Sequence, residues 1–173
     1  MAAEITLLLS CPEDTDAFGF ALGEAIDEPL VIGLVGEMGS GKTTFVRGLA
    51  RGLGVQEVVN SPTYTLMKRY EGRMRLDHLD AWLEGREREV LADGAHQLLG
   101  REGVCVVEWA DRAAELFPES SLWVDLAYRG DEDSDVDRRT LSFSGGQPHL
   151  RAVLEELSAA YSIDNRLELG KDA

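Results

Sequence analysis

The run Gly36-Glu37-Met38-Gly39-Ser40-Gly41-Lys42-Thr43 puts glycines, an ammonium and a hydroxyl within one short stretch. It fills every fixed position of the phosphate-loop pattern G-x-x-x-x-G-K-[ST]. Glycines let backbone N–H groups turn inward around a phosphate, and a helix starting at the loop adds the positive end of its dipole. Lys42 is expected to neutralise the β- and γ-phosphates of a nucleotide, with the Thr43 hydroxyl on a Mg2+ ion.

A nucleotide hydrolase also needs a carboxylate near the metal and a group that orients the attacking water. Glu108 ends the apolar run Val104-Cys105-Val106-Val107 and is the first candidate. Aspartate is the usual residue there, and the longer glutamate could reach the metal directly or act through water. Asp80 is the second candidate, either completing the metal shell and positioning water or simply forming a turn. Thr63 follows the nucleotide helix in a loop, where a threonine either senses the γ-phosphate through the metal or caps a turn. His78 reads as readily as a packed or hydrogen-bonded histidine as a catalytic one, and His96 and His149 read as surface residues. Trp109 either packs in the core or covers the site.

These groups must be carried by particular elements. Leu30 to Val35 is an apolar run of buried-strand length just before the loop. Phe45, Val46, Leu49 and Leu53 recur at helical spacing after it, and Gly52 and Gly54 close that helix. Upstream, Glu4 to Leu9 reads as a strand, and Ser10-Cys11-Pro12-Glu13 has the form of a capping box with Ser10 as N-cap. Phe18, Ala21, Leu22 and Ala25 give the next helix an apolar face. Downstream, Ser61-Pro62 breaks the chain, and a β-like run from Tyr64 returns after Glu71-Gly72 through Met74 to Asp80 as a hairpin. Leu83 to Leu99 has helical composition, Val104 to Val107 is a second buried strand, and Arg112 to Leu116 suggests a short helix. Two further strands, Leu122 to Tyr128 and Arg139 to Phe143, flank an acidic segment, Asp131 to Asp137, that reads as a solvated turn. A helix from Gln147 to Tyr161 closes the fold, with residues 1–161 forming one domain and 162–173 a frayed tail. Helices alternate with strands early and hairpins come late. The expected fold class is therefore α/β, with a central sheet of mixed parallel and antiparallel strands flanked by helices.

The chain has 173 residues, 44% hydrophobic and 28% charged, in keeping with one soluble globular domain. No apolar stretch approaches a membrane span, and the N-terminus lacks the pattern of a secretory signal. Cys11 and Cys105 make no disulfide or metal framework, which fits a reduced, cytoplasmic protein. The net charge is −15. Nucleic-acid phosphates repel such a surface, so any nucleic-acid role is expected to run through a partner. Lys68, Arg69, Arg73 and Arg75 are the one dense basic cluster.

Taken together, the loop from Gly36 to Thr44, the string Ser61-Pro62-Thr63-Tyr64-Thr65-Leu66, the pair His78-x-Asp80 and Val107-Glu108-Trp109 resemble the TsaE (YjeE) family over roughly residues 1 to 145. The resemblance implies a P-loop ATPase of bacterial tRNA threonylcarbamoyladenosine synthesis. In such a system ATP hydrolysis resets a TsaB–TsaD pair that modifies an adenosine beside the anticodon. It also implies that Lys42 and the loop residues through Thr44 hold ATP, that Thr43 and Glu108 hold Mg2+, and that Thr63 and Asp80 belong to the catalytic or switch region. Ser10 matches a region that approaches the adenine. The family commonly continues its His-x-Asp with x-Tyr-Arg, where this chain has Trp82-Leu83, and follows Val-Glu-Trp with proline, where this chain has Ala110. Arg86 is one possible source of the missing arginine. The alternative is a P-loop small-molecule phosphotransferase. Its arginine-bearing lid has no obvious counterpart among the scattered Arg86, Arg88 and Arg101. No guanine-recognition string N-K-x-D occurs, which favours ATP.

Overall fold

The alternation of apolar runs with turn residues resolves, in a computed structural model that describes residues 5–62, 67–82, 102–129 and 138–161, into one mixed sheet with helices against it. In chain order the elements are β1 (Ile5–Leu9), α1 (Pro12–Ala25), β2 (Leu30–Val35), α2 (Lys42–Gly52), β3 (Met67–Tyr70), β4 (Leu76–Asp80) and β5 (Val104–Glu108). A 3₁₀ segment (Ala110–Leu116), β6 (Leu122–Tyr128), β7 (Arg139–Gly145) and α3 (Pro148–Tyr161) follow. The strand order is β1-β7-β6-β2-β5-β4-β3. The four inner strands β6, β2, β5 and β4 run parallel. Antiparallel pairs finish both edges, β3 on β4 at one and β6–β7–β1 at the other. The fold class expected from the sequence is the one observed. The helical run from Leu83, the acidic segment from Asp131, the start of the hairpin at Tyr64 and the tail lie outside the described residues.

Register decides which side chains meet. Both Leu34 of β2 and Asp80 of β4 stand opposite Glu108 of β5. Because strand side chains alternate, Leu76, His78 and Asp80 share a face with Val104, Val106 and Glu108. Along that face the character changes from apolar to polar toward the C-terminal ends of the strands, where sites of open α/β sheets form.

This face carries the larger core, in which Phe18, Leu22, Phe45, Leu49, Val106 and Leu154 belong to one cluster. The other face holds a smaller cluster of Val31, Leu79, Cys105 and Val107, with Trp109 and Trp123 packed against it. On the helix side, α1 buries Phe18 and Leu22 together with Gly19 and Gly23, while Ala25 of the expected apolar face is exposed. The reason lies in α2. A Cβ at Gly19 would stand 2.5 Å from the Phe45 carbonyl oxygen, and one at Gly48 would stand 1.9 Å from that of Asp16. Glycines at these points let the two helix backbones touch. Hydrophobicity alone does not find that stripe.

The cap of α1 also differs from expectation. Cys11 is the N-cap and makes no side-chain capping bond. Ser10 instead donates from Oγ and from its backbone N–H to Oδ2 of Asp14. The helix starts at Pro12 with Cys11 as its cap, one residue later than a cap at Ser10 requires, so Ser10 reaches Asp14 and not Glu13. At the other end, Nη2 of Arg73, from the turn between β3 and β4, donates to the carbonyls of Gly23 and Ile26. Gly54, with φ +84°, turns the chain just after α2, as its position at the helix end predicts.

Candidate active site

β2 delivers the chain to Gly36, Gly39 and Gly41, whose φ angles of 143°, 80° and 103° all lie in the region that disfavours side chains. At Gly36 a Cβ would also strike the Leu126 carbonyl at 2.3 Å, whereas at Gly39 it would meet nothing within 4 Å. α2 begins at Lys42 directly after this turn, so its first N–H groups face the loop with no carbonyl of their own helix to bind. An anion is the natural partner for that arrangement.

Lys42 Nζ donates to the carbonyls of Gly36 at 2.7 Å and Glu37 at 2.8 Å, which fixes the ammonium in the centre of the loop. It also lies 3.8 Å from the centroid of a Trp109 ring. Burial pushes its pKa down, while the charges of Glu108, Asp80 and Asp111 pull it back up.

Glu108 is buried at the end of β5. Thr43 Oγ1 donates to its carboxylate, 3.1 Å from Oε1 and 3.2 Å from Oε2. His78 Nε2 lies 2.9 Å from Oε1. Asp80, one strand away, accepts the Trp82 N–H on Oδ1 at 2.8 Å and the Ser61 hydroxyl on Oδ2 at 3.4 Å. The hydroxyl and two carboxylates form an all-oxygen donor set at the loop's edge, the kind a hard divalent cation takes.

Aromatic side chains wall this cleft. Trp109 is the one non-glycine residue with positive φ (59°) among the described residues, and its left-handed turn sends the chain from β5 into the 3₁₀ segment. Its ring stands 4.4 Å from that of Trp82. The Arg112 guanidinium lies 4.5 Å over Trp82 and donates to the Trp82 carbonyl at 2.8 Å. On the far side of the loop, buried Arg139 donates from Nε to the Ser40 carbonyl at 3.2 Å. The resulting cleft, about 310 Å³, is bordered by Thr43, Thr44, Asp80, Glu108, Trp109 and Arg139.

The structure thus gathers Met38, Gly39, Gly41, Lys42, Thr43, Thr44, Asp80 and Glu108 around one cleft. Ser40 is buried beneath the loop, and Glu37 faces a neighbouring cleft with Asp111, Asp125 and Tyr128. Ser10 does not border the main cleft; it follows Leu9, which pairs with Arg139. Thr63 and Arg86 lie outside the described residues. Arg139, Ser61 and Arg112 were not expected here. The signal for Arg139 was strand parity, since it shares a pleat with buried Leu141 and Phe143. Arg112 supplies a cation beside Trp82, where Leu83 has none. The three arginines of the hairpin's basic cluster are engaged internally: Arg69 and Arg75 pair with buried Asp77, and Arg73 caps α1.

The chain is similar to known proteins in sequence and in structure. The family model described as threonylcarbamoyl adenosine biosynthesis protein TsaE matches residues 9–140. A tRNA threonylcarbamoyladenosine biosynthesis protein TsaE of Bacillus subtilis is 36% identical over 155 residues, covering 89% of this chain and 94% of the relative. One from Treponema pallidum is 37% identical over 124 residues, covering 72% and 92%. The crystal structure of Bacillus subtilis YdiB superposes with a TM-score of 0.71 at 31% identity, covering 92% of this chain and 97% of that one.

Proposed function

The chain belongs to the TsaE family of threonylcarbamoyl adenosine biosynthesis proteins, and from that premise we propose that it is a Mg2+-dependent ATPase of the tRNA threonylcarbamoyladenosine machinery. It acts through a TsaB–TsaD pair and meets tRNA only through those partners. The observation that carries this reading is the convergence of Thr43 and Glu108 at the head of the helix that follows the glycine loop.

In this reading the glycine loop and the first N–H groups of α2 orient the phosphates, and Lys42 binds the β- and γ-oxygens. Thr43 and Glu108 hold Mg2+, which when bound neutralises charge on those phosphates. Asp80, held by the Ser61 hydroxyl and the Trp82 N–H, orients the attacking water and holds its proton. The pair Trp82 and Trp109 shields one side of the cleft from bulk water. An acidic surface of net charge −15, with its hairpin arginines occupied internally, supports indirect handling of tRNA. Among the described residues no helix is long and apolar enough to cross a membrane, which is compatible with a cytoplasmic protein.

The test is phosphate release from ATP by the purified chain, alone and with TsaB and TsaD of the same organism. Lys42→Ala serves as the blank, with a loss of about 100-fold or more expected from removal of a preorganised charge. Slow turnover alone and a clear rise with the partners supports the proposal. Partner-independent turnover, or transfer of phosphate to a small acceptor in place of water, refutes it.

A further inference from the structure

His78 has no exposed surface, and its one hydrogen-bonding contact among the described residues is Nε2 to Glu108 Oε1 at 2.9 Å. Its Nδ1 is buried with no hydrogen-bond partner among the described residues. A histidine placed only for packing gains nothing over leucine here and leaves a polar atom unsatisfied. The strand register explains what it does instead. His78 stands opposite Val106, and Asp80 opposite Glu108, all on the α2 face. The imidazole therefore lies one pleat beneath the carboxylate, and it does not border the cleft that Glu108 and Thr43 line. It approaches Glu108 from behind while Thr43 approaches from the open side.

We propose that His78 is a positioning residue: its Nε2–H holds the Glu108 carboxylate so that the oxygens bonded by Thr43 are presented to the cation of a nucleotide–metal complex. The proposal rests on the ATPase reading above for the identity of that complex. The bond needs a proton on Nε2, and the carboxylate is then fixed at one oxygen from below. Without that donor, the Glu108 carboxylate keeps, among the described residues, the Thr43 hydroxyl alone, which must itself turn toward the metal.

The test compares His78→Leu and His78→Phe, which fill the space without a donor, with His78→Gln, whose amide restores an N–H at similar reach. Calorimetric titration with ADP, with and without Mg2+, is read beside kcat and KM for ATP. Loss of an outer partner of a metal ligand characteristically costs about 10- to 100-fold. The apolar variants are expected to keep metal-free ADP affinity within about twofold. They should need about tenfold more Mg2+ and lose about tenfold or more in kcat at unchanged KM. Gln should recover most of both effects. Apolar variants with wild-type Mg2+ dependence overturn the proposal. So does a Gln variant as impaired as Leu and Phe, since that marks a role in packing alone. A wild type that binds ADP with Mg2+ dependence but hydrolyses no ATP sinks the ATPase reading, and His78 is then judged on the binding arm alone.

Discussion

On one face of the sheet, α1 and α2 meet backbone to backbone through Gly19, Gly23, Gly48 and Gly52. On the other, among the described residues, a small cluster around Val107 and Cys105 is finished by Trp109, Trp123 and the 3₁₀ segment. The first contact is set by the absence of side chains and has no room to adjust. The second is made of large planar rings, beside which Trp82 stacks on Trp109 at an angle of 53°. The cleft lies between the two. Its phosphate side, Lys42 and Thr43, is anchored in the tight interface. Its wall, Trp109, comes from the aromatic one. The cradle and its wall thus rest on different packing on opposite sides of one strand layer.

The contrast is most exposed to failure at Gly48. A methyl there collides with the Asp16 carbonyl at 1.9 Å, and Gly48→Ala should cost about 3 kcal/mol of stability as α1 is pushed off α2. Urea unfolding of a variant that keeps wild-type stability would show that the helix interface does adjust. A pH-dependent effect, absent at neutral pH, is expected on the other face. Burial pushes the Cys105 thiol up to about 12 from its ordinary 9.0. Above pH 9 the unfolded chain ionises first, so the folded state holds the extra proton and stability falls as pH rises toward 12, by up to about 1.4 kcal/mol per pH unit. Cys105→Ala should remove that alkaline slope while leaving the partly exposed Cys11 thiol available for labelling; an unchanged slope would mean that Cys105 is not its source. The smallest change is expected for Arg112→Ala. Loss of its contact with Trp82 should cost about 1 kcal/mol or less, yet shift the tryptophan emission spectrum as the two rings re-seat. A large stability loss without a spectral change would mean that the wall is as rigid as the cradle.

Local chemistry was the legible part of this sequence. The loop from Gly36 to Thr43 announces its conformation through its glycines, and β5 announces itself by its apolar run and terminal Glu108. The β3–β4 hairpin was readable from Glu71-Gly72 for the same reason. What stayed hidden depended on partners distant in the chain. The glycine stripe of α1 has meaning only against α2, so Ala21 and Ala25 drew attention that belonged to Gly19 and Gly23. Arg139 follows an acidic segment and looks like a surface charge until β7 pairs with β6 and β1. His78 could not be separated from an ordinary core histidine without the register that sets it beneath Glu108.

The sheet order has a consequence for biosynthesis. β1 is made before the other described strands, yet its partner is β7, with Ile5 opposite Phe143 and Leu9 opposite Arg139. The glycine loop and α2 leave the ribosome before the arginine that braces Ser40, which follows with β7 about a hundred residues later. A nascent chain carrying everything through β6 still lacks that brace and leaves β1 without its neighbour. The nucleotide cradle is therefore completed only once β7 has been made, and a product truncated before it is left with an open sheet edge in place of a finished site.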